Sequence, residues 1–130
     1  MLVLVDTSVW IEYFQRKDAL IERELDSLLR SEDIATSGLV LAELRRGCRT
    51  PHQLRLMLEA MEPLVYFESD RTSWLKAGEI AAEASARGHR LEVGDCLLAA
   101  VVLREGCALF TLDRDFRRIP GLKLHRFRPI

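Results

Sequence analysis

The sequence predicts an α/β sandwich, in which helices pack against a mostly parallel central sheet of four to five strands. Short apolar segments without polar alternation, such as residues 2–5, are typical of strands that are buried on both faces. These strand candidates alternate along the chain with segments of helical periodicity, which is the pattern of parallel strands joined by helices. A length of 130 residues fits one domain.

The chain begins with the strand candidate at residues 2–5, which the polar residues 6–8 bring to an end. These three residues also offer N-caps for a first helix, whose apolar positions run from Val9 to Phe14. Asp18 is a candidate N-cap for a second helix, because the apolar residues between Ile21 and Leu29 follow the helical period.

The middle of the chain predicts two strands and two helices. Residues 33–36 form the second strand candidate, and Ser37 is a candidate N-cap for a helix over residues 38–47. Pro51 suits the first position of the next helix, which extends to Met61. Residues 64–67 form the third strand candidate.

The last part of the chain predicts two longer helices, each followed by a glycine where helices commonly end in the left-handed conformation. The first helix covers residues 71–87, with Ser69 or Asp70 as its cap and Gly88 at its end, and the second covers residues 94–105 and ends at Gly106. A fourth strand follows at residues 107–111. After it come a short turn or helix at 113–121 and a candidate edge strand at 122–127.

Composition excludes several classes of protein. Hydrophobic residues make up 48% and charged residues 30%, with a net charge of −1, so the chain is neither disordered nor a uniformly basic polyanion binder. The three cysteines are widely spaced and form no metal-ligand motif, which predicts reduced thiols in a cytoplasmic protein. We expect no signal peptide and no membrane span, because no apolar segment reaches about 18 residues.

Acidic residues occupy the positions where a parallel sheet binds its ligands, beyond the carboxyl ends of the strands. Asp6 ends the first strand, Glu43 lies in the helix after the second, and Asp95 lies near the start of the helix before the fourth. Asp113 and Asp115 follow the fourth strand. Each adjoins strongly apolar sequence, where a carboxylate is unfavourable unless it is paired, hydrogen-bonded or bound to metal.

Each of these acids also has a structural explanation when it is taken alone. Asp6 could be an N-cap, and Asp95 could complement its helix dipole. Asp113 and Asp115 could be turn acids beside arginines, and Arg46 or Arg49 could pair with Glu43. Taken together, the acids predict one cluster at a single edge of the sheet.

A cluster of carboxylates predicts a hard divalent cation, Mg²⁺ or Mn²⁺, which would relieve the repulsion between them. No cluster of histidines or cysteines competes for a softer metal, since we expect His52 and His89 to be solvated and His125 to point off the edge strand. A carboxylate-held cation with open water positions suits the hydrolysis of phosphodiester bonds.

Two basic segments support a nucleic-acid substrate. Residues 44–58 contain four arginines and no acid, and residues 114–130 contain six basic residues and one acid. Arginines of this kind hold phosphate backbones, although a solvated charged surface is the alternative. The basic residues are Arg45, Arg46, Arg49 and Arg55 in the first segment, and Arg114, Arg117, Arg118, Lys123, Arg126 and Arg128 in the second.

Four segments, VDTSVW, LAELRRG, GDCLLAA and FTLDRDF, resemble in their order and spacing those of the PIN-domain family, and within it the VapC-type toxins of toxin–antitoxin pairs. The resemblance extends over residues 1–127 and implies a single PIN domain over residues 1–130. It implies a PIN-like three-layer α/β/α sandwich and a metal-dependent endoribonuclease that uses Mg²⁺, with Mn²⁺ as a substitute.

The resemblance also implies roles for individual residues. Asp6, Glu43 and Asp95 match the three main acidic positions of the family. Asp113 and Asp115 both fit the fourth position, with Asp113 slightly favoured as the metal ligand. Ser8 and Thr111 match small polar residues that orient carboxylates or a water molecule.

The resemblance further implies a homodimer and a small antitoxin partner. The apolar stripes of residues 18–29 and 51–61 could form a groove for a partner helix, although packing on the chain's own core explains most of these residues.

Three other classes of protein share some of these sequence features. A phosphatase of the haloacid dehalogenase type would need an Asp where Ser8 stands, and a response-regulator receiver domain would need an acceptor Asp after a middle strand and a Lys near the last strand. The third alternative is a catalytically inactive PIN-like domain that binds RNA or protein. The complete set of acids argues against it.

Overall fold

The structure is a computed structural model that describes residues 1–127. Its centre is a four-stranded sheet in which every strand pair is parallel, with the order β3-β2-β1-β4. The predicted α/β fold with a parallel sheet is confirmed. The strands are β1 (Val3–Val5), β2 (Ile34–Ser37), β3 (Val65–Phe67) and β4 (Ala108–Phe110).

Six α-helices and one 3-10 helix connect and flank the strands. Asp18 and Asp70 cap their helices with side-chain hydrogen bonds, as predicted, and Gly88 and Gly106 have φ of 85° and 65° at the two predicted ends. The helices are α1 (Thr7–Gln15), α2 (Ala19–Arg30), α3 (Gly38–Gly47), α4 (Pro51–Met61), α5 (Arg71–Ala86) and α6 (Val93–Glu105), with the 3-10 helix at Arg114–Arg118.

The core lies around β1, β2 and β4, whose residues are all buried, and β1 and β2 are the two central strands of the sheet. Trp10 of α1 and Phe110 of β4 are among the largest fully buried side chains. Helix α6 is buried along the whole run from Cys96 to Val102, because α5 packs along it and shields it from solvent. This apolar surrounding fixes both ends of α6, and therefore the position of Asp95 in its first turn.

The segment at residues 122–127 differs from the predicted edge strand. A single parallel bridge joins Leu124 to Leu109, supported by the bond from the His125 N–H to the Leu109 carbonyl at 2.7 Å. His125 does not point away from the sheet edge. Its ring lies against Phe110, and its Nε2 atom is 3.1 Å from a carboxylate oxygen of Glu24 on α2.

Ser37 occupies the N-cap position of α3, but its side chain makes no capping hydrogen bond there. The residue is the last of β2 and is buried, so its side chain is fixed by the strand rather than by the helix. Among residues 1–127, no helix is both long enough and apolar enough to cross a membrane.

Candidate active site

Asp6 is placed at the carboxyl edge of the sheet by the neighbouring strands β1 and β4. Its backbone N–H donates to the Phe110 carbonyl of β4 at 2.9 Å, and its side chain is only 7% exposed. The Oδ1 atom accepts the Thr7 N–H at 2.8 Å, which makes Asp6 the N-cap of α1. Asp6 therefore caps α1, as the structural explanation predicted, and the same side chain makes further contacts at the site.

Two hydroxyl groups hold the other oxygen of Asp6. Its Oδ2 atom accepts the Ser8 hydroxyl at 3.0 Å and the Thr111 hydroxyl at 2.7 Å. These hydroxyls in turn accept backbone N–H groups, Ser8 from Leu112 at 3.1 Å and Thr111 from Asp113 at 3.0 Å. Because a carboxylate has about four acceptor positions, Oδ1 keeps one position free for a cation.

Glu43 lies on α3, half-buried, and faces α1. The hydroxyl of Thr7 donates to its Oε1 atom at 2.8 Å, which leaves Oε2 available. Thr7 is itself buried. Sequence reasoning identified Thr7 only as a possible N-cap and missed this contact, because the two residues are 36 positions apart and only the packing of α1 on α3 brings them together.

Asp95 lies in the first turn of α6, where the helix dipole favours a negative charge. Its pKa is nevertheless raised to about 6, first by burial and then by the charges of Asp6, Asp113 and Glu43, with a smaller contribution from Glu92. Acids from three other parts of the chain therefore lie near enough to Asp95 to act on its charge.

The start of α6 also lies close to α3. A Cβ atom on Gly94 would stand 3.5 Å from a methyl group of Leu39, an ordinary van der Waals distance, so the two helix starts are neighbours directly beside Asp95. Since Glu43 follows Leu39 by about one turn of α3, this contact brings the Glu43 and Asp95 helices together.

Asp113 and Asp115 have different positions. The charge of Asp113 contributes to the raised pKa of Asp95, and its backbone is tied to Thr111. Asp115 lies in the first turn of the 3-10 helix, and its N–H donates to Asp113 Oδ1 at 2.9 Å, so Asp113 caps that helix. This arrangement favours Asp113 as the fourth acid of the site, with Asp115 behind it.

The donor set fits a hard divalent cation. Asp6, Glu43, Asp95 and Asp113 provide carboxylate oxygens, and the salt bridges among residues 1–127 involve none of them. Within the same residues, no three acidic, histidine or cysteine side chains stand close enough to enclose a metal ion on their own. Mg²⁺ does not require three such side chains around it, because it binds through one or two carboxylates while it retains several waters.

The histidines have partners elsewhere in the chain. His52 is exposed, as predicted, and lies 3.1 Å from Arg55, whereas His89 is half-buried and lies 2.7 Å from Arg118. With His125 beside Glu24, each histidine has a contact away from the four acids. Of the predicted basic residues, Arg128 lies outside the described part of the chain.

The groove predicted between the second and fourth helices forms elsewhere. Ile21 and Leu25 of α2 are buried in the core, so α2 does not offer an apolar stripe. A cavity of about 210 Å³ instead opens between α1, α3 and α4. Its apolar lining comes from Ile11, Phe14, Leu44, Cys48, Leu56 and Met57, and Glu43 forms part of its wall.

Comparisons with known proteins find relatives that cover nearly the whole chain. A family model described as the PIN domain matches residues 3–122. The chain is 29% identical to a VapC ribonuclease of Mycobacterium bovis, an alignment that covers 98% of this chain and 100% of that protein.

Two solved structures show the same fold. The crystal structure of VapBC2 from Rickettsia felis, bound to a DNA fragment from their promoter, matches with a TM-score of 0.82 and 24% identity over 98% of this chain and 100% of the other. A toxin–antitoxin complex from Klebsiella pneumoniae matches with a TM-score of 0.76 and 20% identity over 92% and 94%.

The first testable prediction concerns Asp95→Asn in the absence of metal. The pKa of Asp95 is about 6 in the folded protein and about 3.9 in an unfolded chain. A raised carboxyl pKa stabilises the fold below about pH 4, and this contribution is lost as the pH rises through about 6. In chelator above this range, the variant should be about 1–2 kcal/mol more stable than the wild type, after allowance for partial exposure and the lost dipole interaction.

Chemical denaturation of both proteins across this pH range measures the difference. The gain of the variant should appear as the pH rises and should be absent in acid. A variant that is less stable than the wild type at neutral pH would contradict this prediction. It would show that the favourable helix-dipole interaction of Asp95 outweighs the repulsion by the other acids.

The second prediction concerns Thr7. Thr7→Val keeps the shape of the side chain and removes the hydroxyl that holds Glu43, whereas Thr7→Ser keeps the hydroxyl. Loss of such an orienting hydrogen bond typically lowers metal affinity about 10- to 100-fold. The Mg²⁺ concentration needed to raise the melting temperature should increase for the Val variant and stay near the wild-type value for the Ser variant. Equal Mg²⁺ responses of the Val variant and the wild type would contradict the role of Thr7.

Proposed function

The chain belongs to the PIN domain family, and we propose that it is a divalent-metal-dependent endoribonuclease that acts as the toxin of a toxin–antitoxin pair. The observation that carries this proposal is the set of hydrogen bonds that fixes Asp6 and Glu43 through Thr7, Ser8 and Thr111 at the carboxyl edge of the sheet. The charges of Asp6, Glu43 and Asp113, after burial, also raise the pKa of Asp95. The similarity to a VapC ribonuclease over nearly the whole chain supports RNA as the substrate.

We propose that Asp6, Glu43, Asp95 and Asp113 hold one or more Mg²⁺ or Mn²⁺ ions. The cation would act as a Lewis acid on the phosphate and would favour ionisation of water. The chain's own contribution is to fix the ligands. The Ser8 and Thr111 hydroxyls orient Asp6, the Thr7 hydroxyl orients Glu43, and the first turn of α6 positions Asp95.

The hydrogen bonds also indicate the nucleophile. The Ser8 and Thr111 hydroxyls each donate to Asp6 and accept a backbone N–H, so neither is free to attack a phosphate. Each histidine contacts residues away from the acids, so none is placed to activate a hydroxyl as a neighbouring base. Attack by water therefore fits the site better than a covalent intermediate on the enzyme.

The partner of the proposed toxin would bind in the cavity between α1, α3 and α4. The walls carry the exposed apolar side chains Ile11 and Leu56, each 43% exposed, which a partner segment would cover. Because Glu43 belongs to the same wall, a segment in this cavity would reach the acids and could block the site. Binding in this position would inhibit the enzyme directly.

Three further features belong to the proposal. The family resemblance implies a homodimer, and Trp74 and Leu75, which are 54% and 71% exposed on α5, offer an apolar surface for one.

The free thiols of all three cysteines fit the cytoplasm, where the RNA substrates are. A single PIN domain over residues 1–130 stays a prediction.

The third prediction concerns cleavage. Purified protein should cut RNA in Mg²⁺ or Mn²⁺, stop in chelator and recover when the metal is restored. Glu43→Gln and Asp95→Asn should each lower the cleavage rate by about 100-fold or more, since a site loses several kcal/mol of charge stabilisation with a metal ligand. A time course of product formation measures the rate, and mapping of the RNA ends gives the cleavage position.

Two outcomes would contradict the proposal. Cleavage that persists in excess chelator would indicate a metal-free mechanism. RNA binding without cleavage under every metal condition would indicate the inactive PIN-like binding module instead.

The fourth prediction concerns the partner cavity. Leu56→Arg places a charge in the apolar wall and should weaken binding of the small protein encoded alongside the chain by at least about tenfold, as expected for an apolar anchor. Leu58→Arg is a matched control, because Leu58 is 54% exposed on the same helix and does not line the cavity. Titration calorimetry measures both. Equal losses for the two variants, or no loss for Leu56→Arg, would place the partner elsewhere.

A further inference from the structure

A second and larger cavity lies beside the acids. It has a volume of about 750 Å³ and is enclosed between the 3-10 helix and the chain segment that returns along β4. This volume falls within the range of about 300–1,000 Å³ that is typical of sites for small molecules. Thr111 and Asp113 belong to its wall, so the cavity is continuous with the proposed active site.

The rim of this cavity is basic. Arg114 and Arg117 extend from the 3-10 helix, and Arg126 extends from the returning segment on the other side. All three are exposed, and the salt bridges within residues 1–127 leave them without an acidic partner. Because Leu124 is level with Leu109 in a parallel register, Arg126 is level with Thr111 at the carboxyl edge of the sheet.

The cavity lining is more polar than apolar, and three of its apolar side chains form its floor. Leu112, Leu124 and Phe127 line it between the arginines, and Leu112 is 43% exposed. The ring of Phe127 is fixed against Phe110, with ring centroids 5.3 Å apart. A cavity with an apolar floor and a cationic rim matches an unstacked nucleotide, whose base takes the apolar surface while arginines bind the phosphates on either side.

We propose that this cavity binds a nucleotide of the RNA strand next to the bond that is cut, with Arg117 and Arg126 on its phosphates and its base on the apolar floor. The inference rests on the proposed function and adds a substrate subsite to it. The continuity with Asp113 favours RNA over an acidic protein segment, because a phosphate held at the acids places its neighbouring nucleotide within this cavity.

The test measures RNA binding separately from cleavage. The probe is a short fluorescein-labelled single-stranded RNA of mixed sequence, bound in Mg²⁺ by an Asp95→Asn protein that does not cut. Arg117→Gln together with Arg126→Gln should weaken binding and reduce the slope of log affinity against log salt by about 1.4, since each phosphate contact on a single strand contributes about 0.7. Leu112→Ala should weaken binding by roughly fivefold or more without changing the salt slope, as expected for lost base contact.

Arg23→Gln together with Arg30→Gln is the matched control. Both arginines are exposed on α2, neither lines the cavity, and the change in net charge is the same. Melting temperatures of all variants verify that they are folded.

Equal RNA affinity and equal salt slope for the cavity variant and the control would overturn the inference. In that event the wild-type protein would still cleave RNA, and the proposed function would stand. If the wild-type protein cleaves no RNA in any metal, the proposed function itself fails, whatever the arginine variants do. A cavity variant that instead loses only binding of the small partner protein, with RNA binding intact, would assign the cavity to an acidic protein segment and overturn the inference.

Discussion

Burial and the charges of Asp6, Asp113 and Glu43 all disfavour a negative charge on Asp95 at the carboxyl edge of the sheet. The pKa of Asp95 therefore rises to about 6, although this residue stands at a helix start that favours its charge. The proposed metal-dependent function accounts for this arrangement, since a bound cation would compensate the negative charges.

The parallel topology makes this arrangement possible. β1 and β4 are neighbouring strands in the sheet although about 100 residues separate them, and their ends place Asp6 beside Thr111. A set of hydroxyls then converts this proximity into fixed geometry. Ser8 and Thr111 bind the same oxygen of Asp6 and the backbone of the loop that carries Asp113, while Thr7 holds Glu43. Thr7 therefore links the positions of Asp6 and Glu43, and Thr111 links Asp6 to the backbone of Asp113.

The sequence was sufficient to predict the parallel sheet, the helix caps at Asp18 and Asp70, and the acids at the strand ends, because these features depend on local periodicity and on the rule that ligands bind beyond the carboxyl ends of strands. It was not sufficient for features that depend on which elements meet. The contact of Thr7 with Glu43, the ring of His125 against Phe110 and the cavity between α1, α3 and α4 all join distant parts of the chain. The segment 122–127 looked like a strand because its leucines alternate with basic residues, yet it pairs with β4 through one bridge.

The most direct test of the account is a crystal structure of the protein soaked with Mn²⁺, in which anomalous scattering locates the ion. The account predicts one or more Mn²⁺ ions among the four carboxylates, with an oxygen of Asp6 or Asp95 at about 2 Å from the ion, and with waters in the remaining positions. The Thr7, Ser8 and Thr111 hydrogen bonds should be retained. Saturating Mn²⁺ that leaves this edge of the sheet without an anomalous peak, or that binds only elsewhere on the protein, would contradict the central claim.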